Sequence, residues 1–154
     1  MPGNGPTKTS ELASFDRQLG YGILRLTLGV NILFHGLVPL MSLDSFVVSM
    51  LQMFAKTPLP PEAVRSFALV VPFAQTVIGL LLTLGLWTRF ALASGGLVMT
   101  ALVFGTALRS DGPALGILML YATIYYLLLA GRTYNRFSID HLRRRNSGSL
   151  QLIA

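Results

Sequence analysis

The chain of 154 residues contains no cysteine. Disulfides, thiolate zinc sites, thiolate-bound iron–sulfur clusters and cysteine nucleophiles are therefore excluded within it. Charge is scarce as well. Charged residues make up 12% of the sequence, against about 25% in an ordinary soluble domain. Acidic residues number 6, and none falls in a long apolar run, so those runs offer no paired carboxylates for acid–base chemistry. Nucleophile elbows, phosphate loops and internal repeats are missing too.

Apolar surface is what the chain has in excess. Hydrophobic residues reach 53% and the mean hydropathy is +0.63. A soluble globule of this size would lack the polar coat it needs, whereas a lipid-facing surface resolves the conflict. Four apolar segments cover 22–41, 67–86, 90–108 and 114–130. Each approximates the ~20 residues that carry a helix across the hydrocarbon layer. A bilayer offers no partner for free backbone groups, so each crossing must be helical. The expected fold is all-α, an integral-membrane four-helix bundle.

The connections refine this. Trp87-Thr-Arg89 is short enough to make the second and third crossings an antiparallel hairpin. Arg109-Ser-Asp-Gly-Pro113 is a second tight turn, with Asp111 placed to cap the fourth helix and Pro113 tolerable in its first turn. Within the longer connection 42–66, Leu43, Phe46, Val47, Met50, Leu51 and Phe54 recur at helical spacing while Asp44, Ser45, Ser49 and Gln52 fall elsewhere. This predicts a short amphipathic helix in the outer loop, flat in the interface or folded over the bundle. Ser42 can cap its start, Thr57-Pro58 ends it, and Pro60-Pro61-Glu62 opens the next helix.

Residues 1–19, rich in Gly, Pro, Thr and Ser, read as a mobile cytoplasmic tail. They do not read as a secretory signal, because the apolar run begins late and lacks a small-residue cleavage site. The membrane domain is placed at 20–142 and a basic cytoplasmic tail at 143–154. Lys8, Arg17, Arg89, Arg132, Arg136, Arg143, Arg144 and Arg145 gather on one side, against Lys56, Arg65 and Arg109 on the other. The positive-inside rule then puts both termini in the cytoplasm. The net charge of +6 invites a nucleic-acid reading. The Arg143-Arg144-Arg145 run sits just past a membrane helix, however, where anionic lipid heads attract it. Lipid bilayer is the expected partner and nucleic acid is not.

Few polar residues interrupt the crossings. Thr27, Asn31 and His35 lie at i, i+4 and i+8, on one face of the first helix, and are expected to turn into the bundle. There they serve either as interhelical glue or as a small polar pocket, for instance for a quinone head group or a lipid, with Gln75 as a further pocket candidate. Pro72 is expected to kink the helix near Gln75. Arg25, about one turn inside, either snorkels to the interface or pairs inward with Asp140; Arg89 is open between turn anchor and partner of Asp140. Gly22, Gly29 and Gly36 recur at seven-residue spacing and, with Gly79, Gly95 and Gly96, form candidate packing seams. Tyr125 and Tyr126 are placed in an interfacial belt with Trp87 and Tyr134. His35 and His141 fall on opposite membrane sides, so no metal site and no catalytic residue is proposed.

Three stretches together resemble the DoxX-like membrane proteins: LRLTLGVNILFHGL in the first helix, GLLLTLGLWTRFAL closing the second, and Tyr134-Asn-Arg-Phe-Ser-Ile-Asp140 after the fourth. The resemblance covers about residues 20–142. It implies four transmembrane helices in a bacterial or archaeal inner membrane. Some relatives are the small subunit of a thiosulfate:quinone oxidoreductase, and others associate with membrane redox and oxidative-stress complexes. Two positions depart from the family pattern. Pro39 stands where a lysine is frequent, and Gln75 where a glutamate is frequent. Losing both removes an intramembrane ion pair without stranding either charge. The resemblance therefore implies an accessory membrane subunit, not catalytic on its own, that packs into or docks a larger electron-transfer or quinone-linked complex. A quinone-interacting subunit and a small-molecule or lipid carrier are the alternatives.

Overall fold

The computed structural model describes residues 8–135 and Ser138. It is helical throughout: α1 Lys8–Leu40, α2 Leu43–Phe54, α3 Pro61–Leu84, α4 Thr88–Leu108 and α5 Gly112–Ala130, followed by a single 3-10 turn Arg132–Tyr134. Four of these, α1, α3, α4 and α5, are long and apolar enough to cross a membrane, and α2 is too short. One boundary differs from the expectation. Residues 8–19 are helical and continue α1, so this stretch is not the loose tail that its composition suggests. At 33 residues and about 1.5 Å each, α1 exceeds the hydrocarbon thickness by roughly 20 Å.

The tightest seam joins α1 to α3. A methyl group on Gly29 would fall 2.7 Å from the Thr83 backbone nitrogen, one on Gly36 would lie 2.6 Å from the Pro72 carbonyl oxygen, and one on Gly79 would overlap the Leu33 backbone. Positions climb along α1 as they descend along α3, as an antiparallel pair requires. Small residues permit this close approach, which gains dispersion contacts where lipid supplies no hydrophobic drive. The threonines on the seam are satisfied within their own helix. Thr76 Oγ1 donates to the Pro72 carbonyl and Thr83 Oγ1 to the Gly79 carbonyl, both at 2.8 Å. The α-helix continues through Pro72.

All four crossings meet in one core. Leu28 and Ile32 of α1, Ile78 and Leu82 of α3, Leu92 and Met99 of α4, and Tyr125 and Leu128 of α5 pack together. Tyr125 lies against Gly95, whose bare face accepts the ring. This corrects the belt placement of Tyr125, which is 3% exposed, while its neighbour Tyr126 does face outward. Gly96, proposed as a packing residue, has nothing within 4 Å of an added Cβ.

The turns follow local chemistry. Gly85 takes a left-handed conformation at φ 66°, and the Leu86 N–H reaches back to the Leu81 carbonyl at 2.9 Å, closing α3 as glycine caps do. Thr88 then starts α4, giving the expected hairpin. At the opposite end, Asp111 Oδ1 accepts the Ala114 N–H at 3.2 Å and caps α5. Ser42 precedes α2 but its side chain makes no capping bond.

The predicted apolar face of α2 folds over the bundle. Leu43, Phe46, Val47, Met50, Leu51 and Phe54 are all buried or half-buried, whereas Asp44, Ser45, Ser49 and Gln52 are exposed. Phe54 is the anchor. Its ring sits 3.3 Å from where a Gly105 Cβ would be, and the Arg109 guanidinium lies 5.5 Å from its centroid. Arg109 is itself held by Asp111 at 2.9 Å.

Candidate functional site

Two polar constellations stand out against this apolar frame, one at each end. The first is a buried junction at the end that carries the start of α4. Arg25 is 5% exposed. Its Nη1 donates to Asn135 Oδ1 at 3.2 Å, and Asn135 Nδ2 donates to Thr88 Oγ1 at 3.1 Å. Ser138 Oγ donates to the Asn135 carbonyl at 3.3 Å. Gly85 completes the cradle, since an added Cβ there would strike the Arg25 guanidinium and come within 2.9 Å of Ser138 Cβ. Residues from α1, the α3–α4 turn and the segment after α5 thus converge on one guanidinium.

This settles one of the sequence alternatives. Arg25 turns inward and does not snorkel. Its buried guanidinium donates to the Asn135 side chain, which Thr88 and Ser138 in turn hold in place. Asp140, the proposed partner, lies outside the described residues. Arg89 is exposed beside the turn. Outside the junction, Arg17 Nη1 donates to Tyr134 Oη at 3.4 Å, so residues near the two ends of the bundle sequence lie at the same end of the bundle.

The second constellation runs along α1 toward the α2 end. Leu26, Thr27, Val30, Asn31, Phe34 and His35 line a shallow, open groove along the face of α1. Tyr121 of α5 contacts two of these residues. Its hydroxyl donates to Asn31 Oδ1 at 3.1 Å, and its ring meets the His35 ring edge-on with centroids 6.4 Å apart. His35 Nδ1 lies 3.0 Å from the Asn31 carbonyl oxygen.

The stripe turns into the bundle only in part: Asn31 bridges to Tyr121 of α5, as interhelical glue would, while its neighbours on the stripe face outward. Thr27 and His35 are exposed and Asn31 is half-buried. Helical geometry explains the result. At about 100° per residue, Asn31 lies roughly opposite Gly29 on the wheel. Once Gly29 and Gly36 are committed to α3, the stripe must face away from it. Gln75 is 8% exposed in the interior, on α3, and is not among the groove-lining residues. The structure therefore does not bring His35 and Gln75 into one site. Of the glycine candidates, Gly29, Gly36, Gly79 and Gly95 pack tightly and Gly22 is half-buried.

Tyr121, Thr88 and Asn135 carry much of this arrangement yet are not singled out by spacing. Thr88 and Asn135 do lie within the two later motif stretches. Tyr121 has no comparable signal beyond being a tyrosine in an apolar helix.

Four crossings with a tight hairpin at one end and an amphipathic helix at the other define a small multi-pass α-helical membrane protein. Comparison with known families narrows this further. Residues 20–107 match the DoxX family model, more than half of the chain, and the protein belongs to the DoxX family. The matched stretch holds Arg25, Asn31, His35, Gln75 and Thr88; Tyr121 and Asn135 lie beyond it. No curated protein and no solved structure matches the chain.

Proposed function

We propose that the protein is an accessory integral-membrane subunit that docks a larger electron-transfer, quinone-linked complex in a bacterial or archaeal inner membrane, with both termini cytoplasmic. The observation that supports this reading is the face of α1 that carries the exposed Thr27 and His35 on a helix long and apolar enough to cross a membrane. Exposed polar side chains on such a helix offer a docking partner hydrogen-bonding groups that acyl chains do not use. The redox centre is assigned to the partner complex. The chain has no cysteine, and among the described residues no group of three or more metal-ligating side chains forms. Isolation in a mild native detergent followed by mass spectrometry tests the reading. The expected result is a larger assembly containing a redox subunit, and a chain that migrates alone removes it.

A second reading is a subunit that contributes directly to a quinone site. The hydrogen-bonded group Asn31, Tyr121 and His35 favours it, because it offers polar contacts at the head of an apolar groove. His35→Ala should then lower quinone-dependent turnover of the assembled complex about tenfold, and unaltered turnover argues against it.

A further inference from the structure

α1 does not stop where the bundle does. Tyr21 lies against Gly131, its Cδ2 3.4 Å from where a Cβ would be, and Arg17 reaches Tyr134. Those contacts mark where the end of α5 lies alongside α1. From Glu11 to Arg17 every residue is exposed. Leu12, Phe15 and Leu19 fall at i, i+3 and i+7 and form one apolar stripe, with exposures of 64%, 51% and 43%. Ile23 carries the stripe on into the crossing, where lipid suits it. Beyond the bundle the same stripe calls for an apolar cover of another kind.

Charge selects the occupant. Glu11 precedes Leu12 and Asp16 follows Phe15, so an acid flanks the stripe on each side. Among the described residues these are the only acids at this end, since Asp44, Glu62 and Asp111 lie toward α2, and neither forms an ion pair there. A second copy packed in parallel on the stripe would set Glu11 of one chain against Asp16 of the other, like against like. An anionic lipid surface repels both acids. A basic, partly apolar segment fits, and the chain ends in one: Leu142 followed by Arg143-Arg144-Arg145, with Leu150, Leu152 and Ile153 beyond.

The distances allow it. Ser138 stands against Gly85 beside the Arg25 guanidinium. From Arg25 back to Asp16 and Glu11 is about 14 and 21 Å along α1. From Ser138 to Arg143 and Arg145 the chain spans up to about 17 and 23 Å. We propose that residues 139–154 lie along the projecting end of α1, with Leu142 on the Leu12–Phe15–Leu19 stripe and the Arg143-Arg144-Arg145 run beside Glu11 and Asp16. Three cations against two acids form a network, the arrangement in which surface charge counts most. The arginine run then serves α1 and not the lipid heads.

The test uses the full-length protein in lipid nanodiscs. With no native thiol to compete, Leu19→Cys paired with Leu142→Cys should close a disulfide within one chain under mild oxidation. Ser14→Cys paired with Leu142→Cys should do so about tenfold more slowly, because Ser14 lies about 140° around the helix from Leu19. In the unaltered protein, trypsin should cut within Arg143-Arg144-Arg145 about tenfold more slowly than in a free peptide of residues 139–154. That protection should be equal in nanodiscs of phosphatidylcholine alone and in nanodiscs containing phosphatidylglycerol. Glu11→Gln with Asp16→Asn should remove most of it and leave cleavage after the exposed Lys56 unchanged. Protection in the unaltered protein serves if any variant folds poorly.

Equal rates for the two cysteine pairs, or cleavage of the arginine run as fast as in the free peptide, overturns the proposal. Disulfides that form between chains and not within them overturn it in favour of a second copy. Protection that appears only with phosphatidylglycerol overturns it in favour of lipid. Protection that survives neutralising both acids shows that Glu11 and Asp16 do not hold the segment, and overturns it as well.

Discussion

A single glycine decides how closely two helices of this protein can approach. Gly79 and Gly96 sit on adjacent crossings and look alike in sequence, but only the first has backbone against its Cα. Gly79→Ala forces α1 and α3 apart and should cost about 1–3 kcal/mol, as overpacking does. That corresponds to a fall of several degrees in the detergent melting temperature. Gly96→Ala fills open space and should leave melting within about a degree. Sequence patterning marks both positions as packing candidates and cannot separate them, because the difference lies in which face of each helix meets a neighbour. Tyr125 and Tyr126 pose the same difficulty. Neighbouring residues point about 100° apart, one enters the core and the other does not, and an apolar helix with few polar residues gives no phase to tell them apart.

At the scale of elements, the amphipathic connection was the most legible feature. Its apolar spacing in the sequence is the face that α2 turns onto the bundle. What the pattern could not supply is the anchor's partner, since Phe54 meets Gly105 and Arg109 across some fifty residues of chain. Phe54→Ala removes the buried ring, a change that typically costs about 3–5 kcal/mol, and should release α2. Tryptic cleavage after the exposed Lys56 should then quicken by more than tenfold, while cleavage elsewhere holds steady. An unchanged digestion rate would show that α2 is held by other contacts. The polar stripe of α1 is legible as a stripe, and Asn31 makes the interhelical bond expected of it, but the stripe as a whole turns away from α3. Its phase relative to Gly29 and Gly36 was available in the sequence, and the competing demand of the glycine seam is what sends it outward.

For the whole molecule, crossing number and hairpin order follow from segment lengths, and the shared end of the two terminal regions follows from an even number of crossings. The contact between Arg17 and Tyr134 agrees with that arrangement. The native chain has no cysteine, so single substitutions report cleanly. Ser14→Cys and Thr133→Cys should react with a membrane-impermeant maleimide from the same side, and Lys56→Cys from the other. Labelling of the first two from opposite sides would overturn the topology. The proposed orientation, taken from the positive-inside rule, expects their shared side to be the cytoplasmic one.

The junction around Arg25 has a further consequence for biosynthesis. The guanidinium enters the membrane on α1, yet its amide acceptor, Asn135, is more than a hundred residues behind it. Until that late stretch is translated and folds back, the nascent protein carries an arginine whose final setting is incomplete. Products that stop short of residue 135 would lack the side-chain amide that receives this hydrogen bond.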